Sequence, residues 1–335
     1  MRSELVIGNW SNSSFILPHS SFPFMPLLAV LLDLLLGDPP NRFHPTAWMG
    51  NFIGWLMRCR WRPRGNRLAE SMFGIFILLA GLTLTISTGL AISFLVNLLP
   101  VWAGILLTAL TLKLTISLRG LDRAAREVQS ALEADNLPEA RRLLSWHLVS
   151  RDTSQLDESK VSAAAIESVA ENASDGIVAP LFFFALGGLP AAFAYRFINT
   201  ADSMLGYHDQ EREWLGKVPA RLDDLLNFIP ARLAGLFIVL SAPFCGASLS
   251  RAWKIVWRDS SQTASPNAGI PMSAMAGALG VELEKINHYS LGKGLRLPTV
   301  ADLVRARAIL FITVLLSAFG LTFSSFILHH SSFLP

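Results

Sequence analysis

The chain alternates between long apolar stretches and short, densely polar ones. No Asp, Glu, Lys or Arg occurs in residues 71–112, 176–195, 233–250 or 308–335, the last carrying only His329 and His330 as titratable side chains. A membrane-spanning helix needs roughly 20 apolar residues, so 71–112 is long enough for two, with Pro100 as the turn between them. These stretches are apolar on every side, whereas the helices of a soluble all-helical core would be amphipathic. Two shorter apolar segments come first, at 27–36 and 46–58, and further spans are expected near 230–250 and 304–327. The polar stretches are 120–175, 200–227 and 251–299. In the first of them Asp157 is placed to cap a helix that begins VSAAAIESVAEN, and Asp175-Gly176 reads as its stop. The fold class expected is all-α: a polytopic membrane protein with polar helical loops.

One apolar stretch needs a special path. Residues 177–199 carry Gly187-Gly188-Leu189-Pro190 at their centre, which should break or kink a helix. A single crossing there would put the polar motifs before and after it on opposite sides of the membrane. A re-entrant pair of half-helices returns them to one face, and irregular backbone at membrane depth is tolerated where protein buries it. Accessibility labelling at Gln210 separates the two arrangements.

Composition agrees with the pattern. Charged residues make up 16% of the chain, against about a quarter in soluble domains. The basic residues are local: Arg58, Arg60, Arg62, Arg64 and Arg67 crowd one linker, and Arg119, Arg123, Arg126, Arg141 and Arg142 follow the long apolar hairpin. Both groups suit cytoplasmic loops; no companion module suggests nucleic-acid binding. Cys59 and Cys245 are too few for a disulfide framework. The ends hold near-copies of ten residues, SSFILPHSSF at 13–22 and SSFILHHSSF at 324–333. The expected organisation is an extension at 1–24, one integral-membrane domain at 25–327 and a tail at 328–335.

The polar stretches carry the chemistry. Glu167, Glu171 and Asp175 recur every four residues, one helical stripe of like charges, with Ser168 and Asn172 beside it. Magnesium coordination or basic partners would relieve such repulsion, since hard cations take oxygen ligands, though a solvated helix face reads the same way. Asn199, Asp202, Ser203 and Gly206 follow at i, i+3, i+4 and i+7, a polar stripe leaving an apolar helix, with Tyr207 and His208 as interfacial anchors or site groups. In ARLDDLLNFIPARL, Arg221 is spaced to pair with Asp224 and Asp223 to face Asn227. Arg232 is a planar fork for phosphate or a membrane-edge anchor. In RDSSQTASPNAG, residues 258–269, the Ser265-Pro266-Asn267 turn could offer backbone N–H groups to an anion. Asp38-Pro39-Pro40 with His44-Pro45 is rigid, His44 suiting a hydrogen-bonded loop better than a metal site. Neither a Walker A loop nor GxGxxG occurs.

Taken together, five segments resemble the adenosylcobinamide-phosphate synthase family of cobalamin biosynthesis, the CobD/CbiB type. They are DLLLGDPP…HP at 33–45, ESVAENASDGIVAPLF at 167–182, YRFINTADSMLGY at 195–207, ARLDDLLNFIPARL at 220–233 and RDSSQTASPNAG at 258–269. The resemblance covers about 25–327 and implies a ligase of the cytoplasmic membrane. It would join aminopropanol phosphate, or threonine phosphate, to a propionate carboxylate of adenosylcobyric acid, with ATP and Mg²⁺ as cofactors. It implies magnesium on Glu171, Asp175 and Asp202, with Asn172 and Asn199 as neutral donors. Arg196, Arg221, Arg232, Arg258 and Asn267 are expected at the phosphates, and Asp223, Asp224 and Glu167 as catalytic groups. The partners expected are the corrinoid, the bilayer and other late membrane enzymes of the pathway, with no nucleic acid. A transporter for a corrinoid or another anion is the competing class, since broken helices and midplane polar residues occur there too, but no matching motif appears in the first half of the chain. A membrane scaffold would not need so many Asp, Glu and Asn residues.

Overall fold

The computed structural model describes residues 24–59, 66–206 and 213–330. The expected N-terminal extension, Arg60, Arg62 and Arg64, Tyr207, His208 and Gln210, and the end of the tail lie outside those residues. Helix α1 (Met25–Leu36) leads through a short turn to α2 (Pro45–Arg58), which starts on a proline, as N-terminal positions favour, with His44 as its cap. Next come α3 (Arg67–Leu98) and α4 (Val101–Lys113), with Pro100 at the turn as the pattern predicts. Helices α5 (Leu118–Glu133) and α6 (Leu137–His147) are polar, and α7 (Glu158–Ala173) begins on Asp157, whose carboxylate accepts the Lys160 N–H at 2.9 Å. The remaining helices are α8 (Ala179–Leu205), α9 (Glu213–Leu226), α10 (Phe228–Ser241), α11 (Leu249–Asp259), α12 (Gly269–Leu279) and α13 (Val300–His330).

Among the described residues five helical stretches are long and apolar enough to cross a membrane, and the chain is a multi-pass membrane protein. Helix α3 makes the physical case. In its most apolar window only 28% is buried inside the protein, so Leu79, Leu84, Phe94 and their neighbours face outward. In water that would be a large apolar patch; in lipid it is the solvated face. The inner face of α3 is built from small residues. Gly74 lies against the Leu215 carbonyl, Gly81 under the Phe197 ring and Gly89 on Pro190, each too close for a side chain. Close backbone approach of this kind drives helix packing where hydrophobicity cannot. Helix α4 has 13 residues, about 20 Å at 1.5 Å per residue, short of a hydrocarbon core of about 30 Å.

Two departures from the pattern concern the site. The helix expected to stop at Asp175-Gly176 does not stop. A single π-helical turn, Ser174–Val178, carries α7 directly into α8. Gly176 is buried there, and packing on all sides holds the chain helical where isolated sequence would end it. The second departure is a small antiparallel hairpin in an otherwise helical protein, β1 (Leu283–Lys285) with β2 (Tyr289–Leu291). Asn287 takes positive φ at its turn, a conformation Asn tolerates. Asp259 and Glu282 fasten it by accepting the N–H groups of Gly292 and Gly294 at 2.6 and 3.0 Å.

The break expected within 177–199 is present, and it reverses the chain. Gly187 and Gly188 leave helical geometry, Gly188 at φ 65°, ψ −156°, and Pro190 has no N–H to bridge the gap. Unbroken, the 27 residues of α8 would span about 40 Å. Instead Phe183 stacks on Tyr195 with ring centroids 4.9 Å apart, and the Tyr195 hydroxyl reaches the Asp175 carbonyl oxygen at 3.2 Å. The two halves form a re-entrant-like helical hairpin, so residues before and after it share one end of the bundle. Gly188→Val should strain this reversal by roughly 1–3 kcal/mol and lower the melting temperature in detergent. An unchanged melting curve would show that the positive φ is not required.

Candidate functional site

Two adjoining cavities open where the re-entrant hairpin closes. The outer one, about 570 Å³, is lined by residues 145–150, the end of α6 and the loop that follows it, and by Asn172, Asn199 and Ser203. The inner one, about 250 Å³, is lined by Asp223, Asp224, Asn227 and the 264–268 turn. Glu171, Asp175, Asp202 and Gly206 line both. The wall between them therefore joins α7, the π-turn and the end of α8, and it exists only because the chain reverses at Gly187-Gly188. Gly206 matters by its size, since a β-carbon there would collide with the Asp202 carboxylate.

The carboxylates of Glu171, Asp175 and Asp202 have no basic partner in an ion pair among the described residues. Uncompensated negative charges in a partly buried wall are costly, and the groups on offer are all oxygens. That donor set suits magnesium, which is held through one or two carboxylates plus substrate phosphates rather than a protein cage. Consistent with this, no three His, Cys, Asp or Glu side chains among the described residues converge tightly enough to enclose a metal ion.

Behind the wall lies an ordered network. The Asp223 carboxylate accepts Asn227 Nδ2 at 2.9 Å and Asn199 Nδ2 at 3.3 Å, as its i+4 spacing from Asn227 predicts. Asn227 Oδ1 in turn accepts the Tyr195 hydroxyl at 2.8 Å. Burial first, then the nearby charge of Asp202, pushes Asp223 up to about 7, against the lowering effect of the two amides. Asp224 accepts the Ser265 hydroxyl at 3.2 Å, and its carbonyl oxygen accepts Asn267 Nδ2 at 2.6 Å. The turn expected to present N–H groups to an anion turns two of them inward: those of Asn267 and Ala268 point at Ser265 Oγ, at 3.3 and 3.5 Å.

The arginines divide. Arg196 lies outside both cavity linings but stands behind the wall residue Asn199, its guanidinium 3.5 Å from Asn199 Oδ1 and 3.4 Å from Thr46 Oγ1. Arg221 is exposed, and no ion pair joins it to Asp224 among the described residues. Arg232 folds back over the Phe228 ring and donates to the Phe228 carbonyl oxygen at 2.6 Å. Arg258 pairs with Asp259 through both forks, at 2.7 and 2.8 Å. Glu167 continues the acidic stripe but lies outside both cavity linings. It is buried, 3.4 Å from Arg151, with Oε1 unpartnered.

The first motif forms a separate cluster beside Arg196. Buried Asp33 accepts the Arg119 N–H at 2.9 Å and lies 3.7 Å from buried Lys113, which also donates to the Gly37 carbonyl oxygen. Asp38 meets Lys113, His44 and the Ser117 hydroxyl. Burial raises the Asp38 carboxyl, but His44 and Ser117 together hold it below the usual range. His44 also accepts the Thr46 N–H at 3.2 Å, the loop role its sequence context suggests. Sequence reasoning missed Lys113, Arg151 and the 145–150 loop. Lys113 closes a long apolar run, a signal that was available; the loop has no motif spacing at all.

Known proteins resemble the chain over most of its length. The family described as CobD/Cbib protein matches residues 26–313. The cobalamin biosynthesis protein CobD of Dehalococcoides mccartyi is 45% identical over 273 residues, 81% of this chain and 86% of the relative. That of Geobacter metallireducens is 44% identical over 276 residues, 82% and 85%. The cobalamin biosynthesis protein CbiB of Salmonella choleraesuis is 38% identical over 280 residues, 83% and 86%. No solved structure matches the chain. With a match that spans all five motif segments and relatives covered over most of their length, the chain belongs to the CobD/CbiB family.

Proposed function

We propose that this protein is the amide-forming ligase of cobalamin biosynthesis, acting at the cytoplasmic membrane. It joins aminopropanol phosphate, or threonine phosphate, to a propionate carboxylate of adenosylcobyric acid. The observation that carries the reading is the convergence of four of the five motif segments on two cavities that share a wall of carboxylates without a basic ion-pair partner among the described residues.

A free carboxylate is a poor electrophile, so ATP converts the propionate to an acyl phosphate and leaves as ADP. The amine nitrogen then attacks the carbonyl carbon. The C–N bond forms, the C–O bond to phosphate breaks, and inorganic phosphate departs with the electron pair. Magnesium, when bound, neutralises charge on the transferring phosphoryl group. Glu171, Asp175 and Asp202 would hold it, with Asn172 and Asn199 as neutral oxygen donors. Arg196, held against the wall residue Asn199, is the arginine assigned to a phosphate. Asp223, or Asp224 beside it, takes the proton released by the amine. Glu167 holds Arg151 rather than touching substrate. The large corrinoid enters the outer cavity from the cytoplasmic side, and its product passes to other membrane enzymes of the pathway.

Purified protein in detergent, given adenosylcobyric acid, ATP-Mg²⁺ and aminopropanol phosphate, should yield the amide and ADP by mass spectrometry. Product formed without vesicles rules out pure transport. An intact, folded preparation that forms no amide with either amine donor rejects the proposal.

A further inference from the structure

We propose that the inner cavity is a binding site for a primary ammonium group, gripped by Asp223, Asp224 and the side-chain oxygen of Asn267. It thereby seats the amine partner, an assignment that rests on the ligase reading above. Four observations carry it.

First, the sign of the walls. Among the described residues the lining includes five carboxylates and no Lys, Arg or His, so an anionic group is repelled there and a cationic one attracted. Second, Asn267 is 3% exposed, and its Oδ1 is buried with no hydrogen-bond partner among the described residues. Its Nδ2 donates to the Asp224 carbonyl oxygen at 2.6 Å. Turning the amide over would set two oxygens against each other at that distance, so the orientation is fixed and Oδ1 is a true orphan acceptor. A buried acceptor of this kind calls for a donor from a ligand. Third, an alkylammonium brings three N–H donors and no acceptor. Asp223 keeps lone pairs free beyond its two amide donors, and Asp224 Oδ1 has the Ser265 hydroxyl as its one donor. Fourth, at about 250 Å³ the cavity is smaller than the roughly 300–1,000 Å³ of pockets for drug-sized ligands. It admits a compact amine and excludes a corrinoid. The phosphate of the same molecule then lies toward the shared wall, where a metal ion rather than a protein cation must meet it.

The test compares two inert analogues of the amine donor on the full-length protein in detergent. One is the N,N-dimethylamino compound, which keeps a charged nitrogen; the other is propanediol phosphate, which lacks it. Titration calorimetry on the parent protein should show the dimethylamino analogue binding at least tenfold more tightly. Asn267→Leu should cut that preference to threefold or less, and should raise KM for the amine at least tenfold while KM for ATP and corrinoid moves less than twofold. Equal binding of the two analogues to the parent overturns the proposal, whether or not the variant folds. So does competitive displacement of the dimethylamino analogue by Mg²⁺ alone, which would make the inner cavity a metal site. Because binding is read without turnover, a parent that binds the charged analogue but forms no amide defeats the ligase reading and leaves the ammonium site standing.

Discussion

Asp202→Ala should abolish amide formation and leave the protein at least as stable as the parent. Asp202 lies at the end of α8 on the wall common to both cavities. Its carboxylate accepts no hydrogen bond and meets no basic side chain among the described residues, while Glu171, Asp223 and Asp224 surround it with like charge. Its removal therefore relieves repulsion and breaks no hydrogen bond or ion pair among the described residues. Proteins keep such groups where activity requires them, at a cost in stability. If Asp202 helps hold magnesium against the transferring phosphoryl group, the loss should be at least about 1,000-fold in kcat, about 4 kcal/mol of transition-state stabilisation. Glu171→Ala should behave alike. Two measurements decide: amide and ADP by mass spectrometry, and the melting temperature of the detergent-solubilised protein. Parental turnover in either variant removes that residue from the metal site. A collapsed melting temperature would instead show that the carboxylate is structural.

Much of the fold was legible because lipid imposes a coarse, strong signal. Charge-free runs located α3, α4, α10 and α13, and Pro100 located the turn between the first two. Gly187-Gly188 with Pro190 announced the break in α8, because no helix interior accommodates that sequence cheaply. What the sequence could not show was the outcome at 174–178. Asp-Gly is a legitimate stop signal, and only the burial of Ser174, Gly176, Ile177 and Val178 on every side keeps the chain helical through a π-turn. The 283–291 hairpin was hidden for a similar reason. Its two strands are three residues each, too short for an alternation to register, and acceptors remote in sequence hold them.

The site was legible where residues act along one helix. The stripes Glu171–Asp175 and Asn199–Asp202–Gly206 came from spacing, as did the pairing of Asp223 with Asn227. It was illegible where the question was which way a long side chain turns. Arg232 and Arg258 have the chemistry of phosphate ligands, yet one folds onto Phe228 and the other onto Asp259. Arg196 sits in an equally unremarkable context and turns toward Asn199 of the cavity wall. Spacing along a helix fixes a side chain's face, not the partner its flexible end selects.

Asp223→Asn separates the two halves of the reaction. Asp223 is set deeper than the shared wall, held by Asn199 and Asn227 and pushed up to about 7 by burial and by Asp202. A base in that range can take a proton from an ammonium near neutral pH. On the proposed mechanism it takes no part in activating the propionate, a step assigned to the other side of Glu171, Asp175 and Asp202. With aminopropanol phosphate as acceptor, the variant should lose about 100- to 10,000-fold in kcat. The substitution also turns an amide N–H₂ toward the Asn199 and Asn227 donors, so lost activity alone would not distinguish a missing base from a disturbed network. Hydroxylamine does distinguish them. It is small and already uncharged at neutral pH, so it needs no base before attacking an acyl phosphate. Asp223→Asn should release ADP and form the hydroxamate within about threefold of the parental rate, the residual difference being the disturbed network. Asp202→Ala should form neither product. If Asp223→Asn fails with hydroxylamine as it does with the natural amine, Asp223 acts in activation or in folding and is not the base. If it retains both activities, Asp224 is the residue that takes the proton, and the same pair of acceptors applied to Asp224→Asn should then show the split.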